Sequence, residues 1–229
     1  MMKEKPILFS TPMVQAILAG RKTMTRRTNG IPKELNVEWS FMGNSKNVDF
    51  PIPGDNNQGR TWYLFENNHN NGKNWIITCP YGEVGDRLWV RETWKPKYVK
   101  GGLDGFRMQY PNDYPWFYAA DGESEEGYGS WKPSIHMPRS ASRITLQITN
   151  IRVEQLNHIS SADAIAEGIE IIRKRDPLPV VFKNYIGDKS QESGYYDPRQ
   201  SFFSLWESIN GFGSVELRPW VFVIEFKRV

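Results

Sequence analysis

The stretch SRITLQITNIRVEQL, residues 142–156, alternates apolar and polar side chains and restricts the fold more than any other part of the chain. Ile144, Leu146 and Ile148, with Ile151 and Val153, are core positions of one long strand. A face filled with apolar side chains is what a barrel strand requires, so the alternation predicts a β-barrel core. Two more strands are expected in it. Residues 86–91 follow a Gly-Asp turn in GEVGDRLWVRETW, with Leu88 and Val90 alternating against Arg87, Trp89 and Arg91. Residues 220–227 lie in the terminal run RPWVFVIEFKRV.

Short helices are expected at the openings of this core. In FSTPMVQAILAG, Thr11 or Ser10 serves as N-cap, Pro12 takes the first helical position and Gly20 is the stop, giving a helix over 12–19. HISSADAIAEGI predicts a helix over 161–167, with Ser160 and Asp163 in capping-box spacing and Gly168 closing it. RQSFFSLWESING (199–211) reads as a third. The fold class is therefore α+β, in a single domain without an interdomain linker. Three long loop or hairpin insertions are expected, at about 28–80, 95–140 and 172–198. The first is rich in Asn, Gly and Pro and carries the strand-like pieces TWYLF and NWIITC.

Composition removes several function classes. Nothing approaches an apolar run of about 18 residues, so no membrane partner is expected. The start MMKEKPILFSTP has too short an apolar stretch for a signal peptide, which points to a cytoplasmic protein. Cys79 is the only cysteine, and the three histidines have no second ligand at helical or turn spacing, so neither a metal nor another cofactor is expected. A net charge of +3 is too small for tight binding to an extended duplex. A small ligand or a short single-stranded RNA fits better. Nine tryptophans and ten tyrosines offer stacking surfaces, although core and loop packing accounts for such residues equally well.

The segment AGRKTMTRR (19–27) places four cations and two threonines directly after the first helix stop. An anionic or hydrolysable ligand would explain that density, and so would a solvated loop or a plain edge strand. Arg26 and Arg27 suit a phosphate or carbonyl of a ligand, or acidic neighbours within the chain. Trp89 and Trp94 flank VRET as candidates to stack a base. Lys132 and Arg139, in KPSIHMPRSASR, suit a phosphate-contacting rim.

The order of ILAGRKTMTRR, the Gly-Asp strand LWV, the long alternating strand, a capped helix ending in AEG and the final VIEFK resembles the ASCH domain, a β-barrel family of the PUA-like superfamily. The similarity is greatest to a phage and prophage branch, and it covers about 7–27, 82–94, 142–170 and 218–228, under half of the chain. The resemblance implies a bacterial type of amidohydrolase that acts on N4-acetylcytidine through a lysine, a threonine three residues later and a glutamate in the helix after the long strand. Those positions fall on Lys22, Thr25 and Glu167. Other members bind RNA or modified bases without catalysis, or cleave RNA, so these alternatives stay open.

The residue types suit the implied chemistry. A threonine hydroxyl is inert until a base takes its proton, and Lys22 can do so once desolvated or crowded by Arg21, Arg26 and Arg27. In a turn after the helix stop, residues i and i+3 approach one another. Glu167 would orient Lys22 or exchange a proton with the leaving nitrogen. Arg21, Arg26, Arg27, Trp89, Trp94, Lys132 and Arg139 complete the expected substrate-binding set. Because all three catalytic candidates lie beside or at the ends of short helices, replacing them is expected to change stability little.

Overall fold

The computed structural model describes residues 2–35, 39–45, 61–67, 74–96, 116–122, 130–175, 177–186 and 194–229. The chain begins with β1 (Glu4–Leu8), α1 (Thr11–Leu18) and β2 (Met24–Arg27). β3 (Trp39–Ser45), β4 (Trp62–Asn67) and β5 (Asn74–Thr78) follow as an antiparallel meander. Next come β6 (Arg87–Arg91) and the short pair β7 (Trp94–Pro96) and β8 (Trp116–Tyr118). β9 (Thr145–Gln155) leads to α2 (Ser161–Ala166), and β10 (Ile171–Arg175), β11 (Leu178–Lys183) and β12 (Gly194–Tyr195) form a small sheet. α3 (Pro198–Asn210) and β13 (Trp220–Arg228) complete the chain.

The main sheet has the order β1-β6-β9-β13-β2, with β1 parallel to β6 and the other pairs antiparallel. All three expected strands and both expected short helices are present within a residue or two at each end. The architecture is α+β, but among the described residues the strands do not close into a barrel: β1 and β2 are the two edges of the main sheet. The apolar face that a barrel would turn inward is covered by a second layer instead. Phe65 meets Trp220 edge to face at 5.1 Å, and Tyr63 meets Phe222 at 5.4 Å. The segment expected to be an insertion thus supplies Trp39, Tyr63, Phe65, Ile77 and Cys79 to the principal core.

The long strand β9 contains an irregularity that its alternation foreshadows. Ile144, Leu146 and Ile148 share a core with Ile151 and Val153, although the apolar positions change phase between 148 and 151. A bulge absorbs the extra residue: Glu225 pairs with Asn150 and Phe226 with Ile148, leaving Thr149 unmatched. On β13, Trp220, Phe222, Ile224 and Phe226 enter that same core. Val221 and Val223 face the opposite way, into a second core with α2 and α3 residues Ala164, Phe202 and Trp206. With both faces covered, β13 is apolar almost without interruption.

Helix ends bring the site together. Ser10 is the N-cap of α1 by its extended backbone, without a side-chain bond, and Pro12 stands in the first turn. Ser160 caps α2 by accepting from the Asp163 backbone N–H at 3.1 Å. The reciprocal half of the expected capping box is absent among the described residues, because the Asp163 carboxylate turns to Arg26 and Arg152. Gly168 takes φ +87° after α2, and a Cβ there would lie 2.8 Å from Lys22 Cβ and 3.0 Å from Ala16 Cβ. Only glycine lets the end of α2 sit against Lys22. No helix among the described residues is long and apolar enough to cross a membrane. Gly168→Ala is expected to lower stability by roughly 1–3 kcal/mol from its left-handed backbone alone, with the clash adding to this, as read by urea unfolding.

Candidate active site

Lys22 and Glu167 lie 145 residues apart in sequence and are joined through their backbones as well as their side chains. They form an isolated antiparallel bridge, supported by the Thr23 N–H donating to the Ala166 carbonyl at 2.9 Å. The bridge aims Lys22 Nζ at the C-cap of α2, where it donates to Glu167 Oε2 at 2.7 Å and to the Glu167 carbonyl at 2.8 Å. The Lys22 side chain is wholly buried. Burial pushes its ammonium pKa down, the Glu167 carboxylate pulls it back up, and the guanidinium groups of Arg27 and Arg26 lower it further. The net direction is downward.

Thr25 follows three residues later, in β2 opposite Ile224 of β13, so it stands in a regular strand rather than in the expected turn. It is buried, and no described residue hydrogen-bonds its hydroxyl. Thr25 and Glu167 both line a cavity of about 490 Å³, within the size range of small-ligand sites. Lys22 stands immediately behind Glu167, not on the cavity wall. Phe9, Met13, Phe202, Leu205, Trp206 and Ile209 supply the apolar part of the lining. The sequence predicts α3 but gives it no part in the site. Its apolar residues at 202, 205, 206 and 209 recur at helical spacing, a signal that marks a buried stripe without saying that a cavity borders it.

The expected substrate-binding cations separate into different roles. Arg27 lines the cavity, donates to the Leu8 carbonyl at 2.6 Å and lies 5.1 Å from the Phe9 ring centroid. Arg26 lines it as well, but its guanidinium is fully engaged by carboxylates: Glu154 Oε1 at 2.6 Å, Asp163 Oδ2 at 2.8 Å and Glu167 Oε1 at 3.2 Å. Arg21 is exposed and donates to the Gly168 carbonyl at 3.1 Å, outside the lining.

Four other candidates are not part of this cavity. Trp94 is buried against Trp116 at 4.9 Å, and Lys132 Nζ lies 5.2 Å from the Trp94 ring. Arg139 pairs with Glu4 at 3.1 Å, and both Arg139 and Arg91 lie over the Trp89 ring. The aromatic residues beside the cavity are Phe9, Phe202 and Trp206 instead: Thr93 reaches the lining, but Trp94 packs on Trp116 in the separate β7–β8 pair, and Trp89 is taken up by Arg91 and Arg139.

Other reactive groups are inert here. Burial pushes the Cys79 thiol up to about 11, which leaves it protonated at neutral pH. Glu154, Asp163 and Glu225 are each paired with a guanidinium, and no three His, Cys, Asp or Glu side chains among the described residues group as a metal site would require.

The expectation of little effect on stability is overturned by burial. Lys22, Thr25 and Glu167 are 2%, 3% and 5% exposed, and the first and last form a buried ion pair. Glu167→Ala strands the Lys22 ammonium on one backbone carbonyl, and should cost about 3–5 kcal/mol in urea unfolding. Lys22→Met should cost less, because Arg26 still neutralises Glu167. Equal losses in the two variants would show that the pair is not asymmetric in this way. Comparison of the chain with protein-family models, curated proteins and solved structures finds no match in any of the three.

Proposed function

We propose that the chain is a PUA-like domain of the ASCH kind that removes an acyl group from the exocyclic amine of a modified nucleoside or base, such as N4-acetylcytidine. The observation that carries this reading is that Thr25 and Glu167 line one cavity, bordered also by apolar and aromatic side chains, while Glu167 is ion-paired with the buried Lys22 behind it. The family resemblance implies these three residues, and their meeting from two distant segments supports carrying over the roles.

In the proposed reaction, Thr25 Oγ1 adds to the acyl carbonyl carbon while its proton passes to the neutral amine of Lys22. Glu167 holds that amine through Oε2 and also faces the cavity, so it takes the proton from Lys22 and delivers it to the leaving nitrogen. The carbon–nitrogen bond breaks, the amine leaves with the proton it has received, and water then hydrolyses the ester on Thr25 to free the acid. Burial lowers the Lys22 pKa and so enlarges the fraction of molecules with a neutral base.

A base-binding module without turnover is the second reading. It is favoured by the position of Lys22 behind the cavity wall, with Glu167 as its ion-pair partner. Ribonuclease chemistry is less well supported, since Arg26 has its guanidinium occupied by three carboxylates and offers little to a phosphate.

Thr25→Ala is expected to abolish hydrolysis of N4-acetylcytidine, and Lys22→Met to reduce kcat/KM by about 10²–10⁴-fold, followed by chromatography of the released cytidine. Wild-type protein that binds the acylated nucleoside without turning it over would replace the hydrolase with the base reader. Salt dependence separates a nucleoside from a polyanion. Of Arg26, Arg27, Lys132 and Arg139, only Arg27 both faces the cavity and lacks a carboxylate partner among the described residues. Nucleoside affinity should therefore change less than about twofold between about 50 and 200 mM salt in calorimetry, where several phosphate contacts would give a steep fall.

A further inference from the structure

Arg26 has a place in the site that the proposed chemistry leaves unassigned. It is 4% exposed in edge strand β2, and its guanidinium reaches carboxylates on two other elements. Nη1 donates to Glu167 Oε1 at 3.2 Å, Nε and Nη2 to Glu154 Oε1 at 3.0 and 2.6 Å, and Nη2 to Asp163 Oδ2 at 2.8 Å. The two anchors are themselves held by Arg152, through Glu154 Oε2 at 3.2 Å and Asp163 Oδ2 at 2.5 Å. Arg152 also pairs with Glu225 of β13. Glu167 consequently has one carboxylate oxygen on Arg26 and the other on Lys22, which fixes the plane of the group from both sides.

We infer that Arg26 is a positioning residue and not a substrate-binding cation: it clamps Glu167 Oε1 so that Oε2 meets Lys22 Nζ, and Glu154 and Asp163 aim the clamp. The kinetic consequence rests on the amidohydrolase reading, whereas the geometric one does not. A planar fork suits this task because three carboxylates can share it, and a lysine at the same position has a single nitrogen to divide among them. Misplacing a catalytic group by about 1 Å can cost about 10²-fold in rate, so a residue that never touches substrate can still govern turnover.

The charged groups around the Lys22–Glu167 pair set the sign of the effect. Arg26 and Arg27 face it from β2, Asp163 belongs to α2, Glu154 and Arg152 to β9, and Glu225 to β13. The Arg26 cation repels the proton on Lys22, so removing it raises the Lys22 pKa. Lys22 is active as a base when neutral, so the rising limb of the kcat profile moves to higher pH in the variant.

The test compares Arg26→Gln, Arg26→Lys, Glu154→Gln and Asp163→Asn with wild type. Arg26→Gln should lower kcat about 10- to 100-fold while KM stays within about threefold, and should shift the limb upward. Arg26→Lys should restore part of the rate. Glu154→Gln and Asp163→Asn should each give a smaller loss of kcat, since the cation remains but one anchor is gone. They also carry the test if Arg26→Gln does not fold.

A substrate-free arm follows the ¹⁵N resonance of Lys22 Nζ through a pH titration, assigned by its absence from Lys22→Met protein. Its midpoint should rise in Arg26→Gln. An unchanged midpoint, or a raised KM with kcat intact, overturns the inference. Should wild-type protein hydrolyse no acylated nucleoside, the amidohydrolase reading fails by itself, and the titration still decides whether Arg26 sets the state of the pair.

Discussion

Strand β13 must be buried on both faces, and the rest of the architecture follows from that requirement. Its central residues Val221 to Ile224 are fully buried, with aromatic and branched side chains pointing alternately into two different cores. One face needs the β3–β5 layer and α1 against it, and the other needs α2, α3 and β11. Burying both sets removes enough apolar surface for each layer to be stabilised by the same strand, at roughly 25 cal/mol per Å². The main sheet can then remain open at β1 and β2, because its inner face is already filled.

The site is placed at the β2 edge of this arrangement. β2 pairs with β13 on one side, and just before it the chain makes its bridge between Lys22 and Glu167. Two charged residues from distant parts of the sequence are thereby carried out of water together. Such a pair is tolerable because further partners share the desolvated charge: Lys22 has the Glu167 carbonyl as well, and Glu167 has Arg26. The arginine and carboxylate network extending to Arg152 and Glu225 disperses the charge toward more exposed positions. Thr25, a buried residue whose hydroxyl has no hydrogen bond among the described residues, lines the cavity with Glu167.

Much of this is legible in the sequence alone. The long strand, the terminal strand, the Gly-Asp strand and the two capped helices follow from alternation, Ser160, Pro12 and the glycine stops. The resemblance marks Lys22, Thr25 and Glu167 as a set; Thr25 and Glu167 line the cavity, and Lys22 pairs with Glu167 behind it. Less visible were the assignments that depend on which residues share a wall. Trp89 and Trp94 flank VRET and so suggest stacking partners, yet they stand in β6 and β7, outside the cavity lining. Phe9, Phe202 and Trp206 take the places beside the cavity. The 28–80 segment looked like an insertion because its Asn, Gly and Pro content resembles loops, whereas its hydrophobic pieces cover the principal core.

The sequence by itself determined the local conformations: period-two alternation makes strands, and proline, serine and glycine at helix ends set where α1 and α2 start and stop. These are properties of adjacent residues and need no knowledge of distant partners. Only the tertiary structure decided that the sheet stays open among the described residues, that three carboxylates occupy the Arg26 guanidinium, and that Lys22 is buried behind Glu167. Each of those outcomes depends on which face a distant element covers and on how much water it excludes. Burial and ion pairing across 145 residues of chain leave no periodic mark in the sequence.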